Sequence, residues 1–173
     1  MPARSHVVTA TRYARDVVDG RVPACKWVRA ACQRQIDDLA RQRGPAWPYR
    51  FDKASAERVC RFIELLPHIK GPRAGQPISL EPWQQFVLTT VFGWVKRRGG
   101  RRRFRRVYIE VPRGNAKSTL SSAVGLYALA LDGEGGAEVY SAATTRDQAR
   151  IVFADARQMT LRSPAFRAEF GVE

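Results

Sequence analysis

The sequence is poor in the residues that build metal and redox sites. It has three cysteines, Cys25, Cys32 and Cys60, and two histidines, His6 and His68. No group of them has the close spacing of a zinc site, and an odd cysteine count does not close a disulfide framework. Cys25 and Cys32 lie seven residues apart, two turns along one helical face, so buried thiols in a reducing compartment are expected. Long apolar runs are missing as well. The opening MPARSHVVTATRYARDV has no signal-peptide core, and no stretch reaches the ~18 apolar residues that span a bilayer. The expectation is a cytoplasmic protein with no membrane partner. Acidic residues are also scarce: 16 Asp and Glu stand against 30 Lys and Arg, a formal charge of +14. That excess favours a polyanion such as nucleic acid, although charge alone does not separate a binding surface from a merely solvated one.

What is present suffices for a core. The chain has 173 residues, the length of one domain, and is 45% hydrophobic with four Trp and eight Phe. Residues 1–95 read as a helical N-terminal region. Cys25, Val28, Cys32, Ile36 and Leu39 make an apolar stripe on a helix from about residue 24 to 42, ended by Gly44-Pro45. Asp52 can cap a second helix carrying Val59, Phe62, Ile63 and Leu66. Pro82 begins a third, with Trp83, Phe86, Val87, Val91 and Trp94 on one face. Residues 96–106, KRRGGRRRFRR, hold eight Arg or Lys and should form an exposed basic connection. It is either a nucleic-acid contact, carried by Arg101, Arg102 and Arg103, or a solvated loop.

Residues 107–173 read as part of a P-loop ATPase core. Val107–Val111 is a short strand rich in β-branched and aromatic residues, followed by a loop and a helix to about Leu131. Residues 137–142 read as a second strand, and a last helix starts near Thr145. This strand-loop-helix-strand-helix order predicts an α/β fold: N-terminal helices followed by the start of an incomplete parallel sheet. The loop Val111-Pro112-Arg113-Gly114-Asn115-Ala116-Lys117-Ser118 lies where a phosphate cradle belongs, with Thr119 following on the helix. Its backbone N–H groups and the helix N-terminus would hold the phosphates of ATP. Lys117 would reach the β- and γ-phosphates, and the Ser118 hydroxyl would join the shell of a Mg ion. Val111 and Ala116 stand where G-x-x-x-x-G-K-[ST] has glycines, and a Cβ at Ala116 is the more consequential departure.

These segments together resemble the large terminase subunit of tailed bacteriophages. The resemblance runs through Tyr49-Arg50-Phe51-Asp52, Ala74-Gly75-Gln76-Pro77-Ile78, Leu80-Glu81-Pro82-Trp83-Gln84, Phe92-Gly93-Trp94 and the loop. It ends in Ala142-Ala143-Thr144-Thr145-Arg146-Asp147-Gln148-Ala149. It implies an ATPase domain followed by a nuclease domain in a DNA-packaging motor. It also implies double-stranded DNA, a small terminase subunit and a portal protein as partners, and a homo-oligomeric ring in the host cytoplasm. By resemblance Gln84 belongs to an adenine-recognition motif and Arg113 contacts the γ-phosphate, while a surface glutamine and a solvated loop arginine are the plain alternatives.

Turnover in that class needs an apolar strand ending in Asp with Glu beside it. No such strand follows Lys117: Asp147 and Asp155 fall in the last helix and Asp132 opens a turn. The expectation is a truncated terminase that binds ATP without turning it over, with no catalytic residue and no nuclease site in this chain. A helicase-like P-loop ATPase and a non-catalytic basic nucleic-acid module with a vestigial loop are the competing readings.

Overall fold

Ser5 opens the first helix, α1 (His6–Val18), and a carboxylate from elsewhere completes the cap. The Ser5 hydroxyl accepts from the Val8 N–H at 3.4 Å, while Glu57 accepts from the N–H groups of His6 and Val7 at 3.2 and 3.0 Å. The His6 ring nitrogen Nδ1 lies 2.8 Å from the same carboxylate. These donors are the N–H groups that a helix start leaves without intrahelical partners, so one glutamate on α3 (Lys53–Leu65) fixes where α1 begins.

The computed structural model describes residues 5–172. They form two compact units: the chain up to Cys60 together with Leu80–Tyr108, and Arg61–Ser79 together with the chain from Ile109 onward. The boundary falls inside α3.

In the first unit, α2 (Lys26–Arg41) and α4 (Pro82–Gly93) join α1. Ala10, Ala14 and Val17 of α1 pack with Cys32 and Phe86, and Val28 and Ile36 cover the edge of this core. The stripe read on α2 is thus inside at Cys32, whereas Cys25, just before the helix, is exposed. All three cysteines remain thiols, and burial pushes Cys32 up to about 11. As expected, Asp52 caps α3, accepting from the Ser55 N–H at 3.0 Å.

Two short strands were not evident from sequence. β1 (Tyr49–Phe51) and β2 (Trp94–Lys96) pair antiparallel, with Tyr49 opposite Lys96 and Phe51 opposite Trp94. Trp94 therefore does not extend the face of α4. The helix stops at Gly93, where a Cβ would stand 2.5 Å from the Phe51 ring, and Trp94 turns into the ribbon. Its indole is fully buried and donates to Gln35 Oε1 of α2 at 2.7 Å.

The second unit holds the end of α3 with α5 (Lys117–Ala130), α6 (Arg146–Leu161) and α7 (Pro164–Phe170). Phe62 packs against Tyr127 and Phe166 at ring separations of 5.6 and 6.0 Å. The Ser122 hydroxyl donates to the Val152 carbonyl at 2.8 Å, joining α5 to α6. Lys70 pairs with the buried Asp155 at 2.7 Å.

The expected strands at 107–111 and 137–142 do not form, and the described residues contain no parallel sheet. The architecture is mixed and helix-rich with one small antiparallel ribbon, compatible with an α/β class but short of the P-loop sheet. A strand exists only when a neighbour takes its N–H and C=O groups. Neither segment is paired into a ladder among the described residues, and Tyr108 and Tyr140 are 85% and 84% exposed. The second segment still lies on its helices: Val139 meets Gly125 of α5, and the Ser141 hydroxyl donates to the Ala149 carbonyl of α6 at 3.1 Å.

Burial alone would raise the Glu57 pKa. Hydrogen bonds from Ser5, Val7 and His6 outweigh that and lower it from 4.5 to about 2. A carboxylate whose pKa is depressed by folding adds stability that is complete above 4.5 and is lost as pH falls towards 2. Urea denaturation of Glu57→Gln should show a loss of about 1–2 kcal/mol at neutral pH, the range for a cap and its hydrogen bonds. The variant should also show a shallower decline in stability than the parent protein across that acid range.

Candidate functional site

The loop before α5 turns twice through the left-handed region. Gly114 has φ 85° and Ala116 φ 55°, and Ala116 is the one non-glycine residue with positive φ among the described residues. Ala116 is also the N-cap of α5 and supplies no side-chain cap. The N–H groups of the first turn, at Lys117, Ser118 and Thr119, are therefore left for an outside acceptor, with the positive end of the helix behind them. This is the arrangement that binds phosphate at a helix N-terminus.

Lys117 folds back over the loop. Its Nζ donates to the carbonyls of Val111 and Pro112 at 2.7 and 2.9 Å. Asn115 braces the same turn, its Nδ2 donating to the Pro112 carbonyl at 3.2 Å and to the Arg113 carbonyl at 3.4 Å. The ammonium is thus held across the mouth of the loop, where a triphosphate would meet it. Because the acceptors are backbone carbonyls, no residue type in the sequence announced them. Arg113, Gly114, Asn115, Ala116 and Lys117 are exposed, while Ser118 and Thr119 are half-buried. Leu120 is buried and anchors the helix from beneath.

Gln84 belongs to the first unit. It is buried at position N3 of α4, and its Oε1 accepts from the Glu81 N–H at 2.9 Å. With the Glu81 side chain bonded to the N3 backbone, it completes a capping box. Its side chain therefore has a structural employment independent of any base.

The basic run is not the uniform exposed connection that its composition suggested. Arg103 is 16% exposed and pairs at 2.6 Å with Asp38, which is 1% exposed. Its guanidinium lies within 4.9–5.5 Å of the ring centroids of Trp47, Tyr49, Trp94 and Phe104. Of the three arginines considered for nucleic acid, Arg103 is thus withdrawn into the unit by a buried partner. Arg101 and Arg102 are at the surface, the latter over the Phe92 ring at 5.1 Å.

Two outcomes follow, both measurable by urea denaturation. A left-handed alanine costs about 1–2 kcal/mol, partly offset because glycine gains freedom in the unfolded chain, so Ala116→Gly should add up to about 1 kcal/mol. Ala116→Val should destabilise. Arg103→Gln leaves Asp38 buried without its nearest cation and should cost about 3–5 kcal/mol, whereas Arg101→Gln should stay within about 0.5 kcal/mol of the parent.

Residues 82–167 match the family model "Terminase large subunit, ATPase domain". The matched stretch contains α4, the basic run, the whole loop with Lys117, and most of the helices behind it. No curated protein and no solved structure matches the chain. Through residues 82–167 the chain belongs to the terminase large subunits, within their ATPase domain.

Proposed function

We propose that the chain is the nucleotide-binding part of a DNA-packaging motor of a tailed bacteriophage, and that the loop 111–118 grips the phosphates of ATP. The observation that carries this reading is the Lys117 ammonium, held across the mouth of a loop whose helix start is uncapped. In this reading the ammonium exchanges its two carbonyls for the β- and γ-phosphate oxygens. The first N–H groups of α5 take the remaining charge, and Arg113 lies on the loop for the γ-phosphate.

The residues suit the triphosphate more fully than the metal. No group of three His, Cys, Asp or Glu that could hold an ion occurs among the described residues. A Mg ion would therefore be held by the phosphates with the Ser118 hydroxyl, and when bound it neutralises charge between the β- and γ-groups. Asp155 is tied to Lys70 and Asp147 sits in the first turn of α6, so neither is arranged to orient an attacking water. The reading is thus of binding without turnover by these residues. Double-stranded DNA, the small terminase subunit, a portal protein and a ring of like subunits in the host cytoplasm are partners and setting proposed from the family.

Calorimetric titration with Mg-ATP tests this. Binding is expected in the parent and weaker by tenfold or more in Lys117→Ala, the loss of one charge-assisted contact to phosphate. Equal binding in both, or none in either, favours a non-catalytic module with a vestigial loop. A steady-state assay should find no turnover; turnover abolished by Lys117→Ala would overturn the second half of the reading.

A further inference from the structure

In the first unit, aromatic rings and cations meet around Trp47, at residues other than those assigned to ATP. A cavity of about 350 Å3 has Trp47, Pro48 and Tyr49 among its lining residues, with Lys96, Arg97 and Arg98. That volume lies within the range of small-ligand pockets, about 300–1,000 Å3. The walls are preformed. The Arg97 Nε–H donates to the Trp47 carbonyl and its backbone N–H to the Pro48 carbonyl, both at 2.9 Å, and its guanidinium also reaches the Gln42 carbonyl. Arg103 holds both rings in place, 5.3 Å from the Trp47 centroid and 4.9 Å from that of Tyr49. Tyr49 is opposite Lys96 in the β1–β2 ladder, which puts the two side chains on one face of the ribbon.

The cations divide into two kinds. Arg97 and Arg103 are spent on carbonyls and on Asp38. Lys96 and Arg98 are exposed, and neither is paired with a carboxylate among the described residues. A half-buried aromatic floor with two uncommitted cations at its rim is complementary to a planar base joined to phosphates. In a duplex the base faces are stacked and out of reach, so the ligand must offer an unpaired base. An acidic peptide would satisfy the cations and leave the rings unused.

We propose that this cavity takes a base of a single-stranded polynucleotide, stacked on Trp47 beside Tyr49, whose ring is inclined at 68° to the indole, with the adjoining phosphates on Lys96 and Arg98. The proposal does not rest on ATP binding at the loop 111–118. Fluorescence anisotropy with labelled oligo-dT, oligo-U and an abasic oligonucleotide of equal length tests it on the full chain. One of the two base-bearing strands should bind, the tighter one naming DNA or RNA as the source, and the abasic strand should bind at least about fivefold more weakly. The double variant Lys96→Gln/Arg98→Gln changes exposed residues only. It should bind more weakly and flatten the plot of log K against log salt by about 1.4, two phosphates at about 0.7 each. Lys117→Ala should bind the strand as the parent does. Equal affinity for the abasic strand, an unchanged salt slope in the double variant, or displacement by polyglutamate as effective as by unlabelled oligonucleotide would overturn the proposal. Trp47→Ala is the obvious variant but endangers the fold, which is why the base is removed from the ligand instead.

Discussion

A carboxylate buried in a helix must find a cation, and in the first unit much follows from how Asp38 finds one. It lies on α2 at 1% exposure, and Arg103, sixty-five residues later in the chain, meets it at 2.6 Å. To arrive there the chain must turn back after β2. The Arg103 N–H donates to the Trp94 carbonyl, and Arg102 bridges to Val95. The pair therefore draws the basic run against the ribbon. It also brings a guanidinium against Trp47, Tyr49, Trp94 and Phe104, where cation–π attraction adds to the ion pair. Gln35, one turn earlier on α2, takes the Trp94 indole N–H, so one helix face supplies the partners of both Trp94 and Arg103.

The second unit is organised around a different demand. Its helices α5 and α6 bury Leu120, Ala123, Leu126, Tyr127 and Met159, while the start of α5 is left uncapped. Four other helices spend side chains on such positions, Ser5 and Glu57 at α1, Asp52 at α3, the Glu81–Gln84 box at α4 and Thr145 at α6, while α2 and α7, like α5, have no side-chain cap. Only before α5 does a strained alanine stand at the cap with a lysine folded over the loop. Backbone strain and unspent N–H groups at one point are what the proposed phosphate grip would use. The Cβ at Ala116, which the sequence alone made suspect, is accommodated in the left-handed conformation that the loop adopts.

Parts of this were legible in the sequence for plain reasons. The Asp52 cap and the Pro82 start of α4 are local signals, settled by side chains within a turn or two of one another, and they appear as read; the α2 stripe holds from Val28 onward, while Cys25, expected inside, is exposed. The loop with Lys117 was legible because phosphate cradles need a particular order of residues along the chain. Trp94 was misplaced because an apolar residue one turn beyond Val91 fits a helix face and a buried strand alike. Gly93 against Phe51, a contact forty-two residues away in sequence, decides between them. The segments 107–111 and 137–142 have strand composition, yet composition supplies only the preference. The paired strand has to come from another stretch of chain, and among the described residues neither segment joins a ladder.

By itself, then, the sequence determined the helices with local caps, the position of the turn before α5, the excess of positive charge and, through its ordered motifs, the terminase ATPase domain that the family match bears out. The tertiary structure alone decided which cations are spent and which are available. Eight Arg and Lys residues between 96 and 106 read alike in sequence. Folding turns Arg103 into a buried counter-ion and Arg97 into a brace for the turn that precedes β1, and leaves Lys96 and Arg98 beside two aromatic rings. The reason is that a charge's role is set by what lies within a few ångströms of it, and for these residues the partners come from α2 and from the turn around Trp47, about fifty residues or more away along the chain.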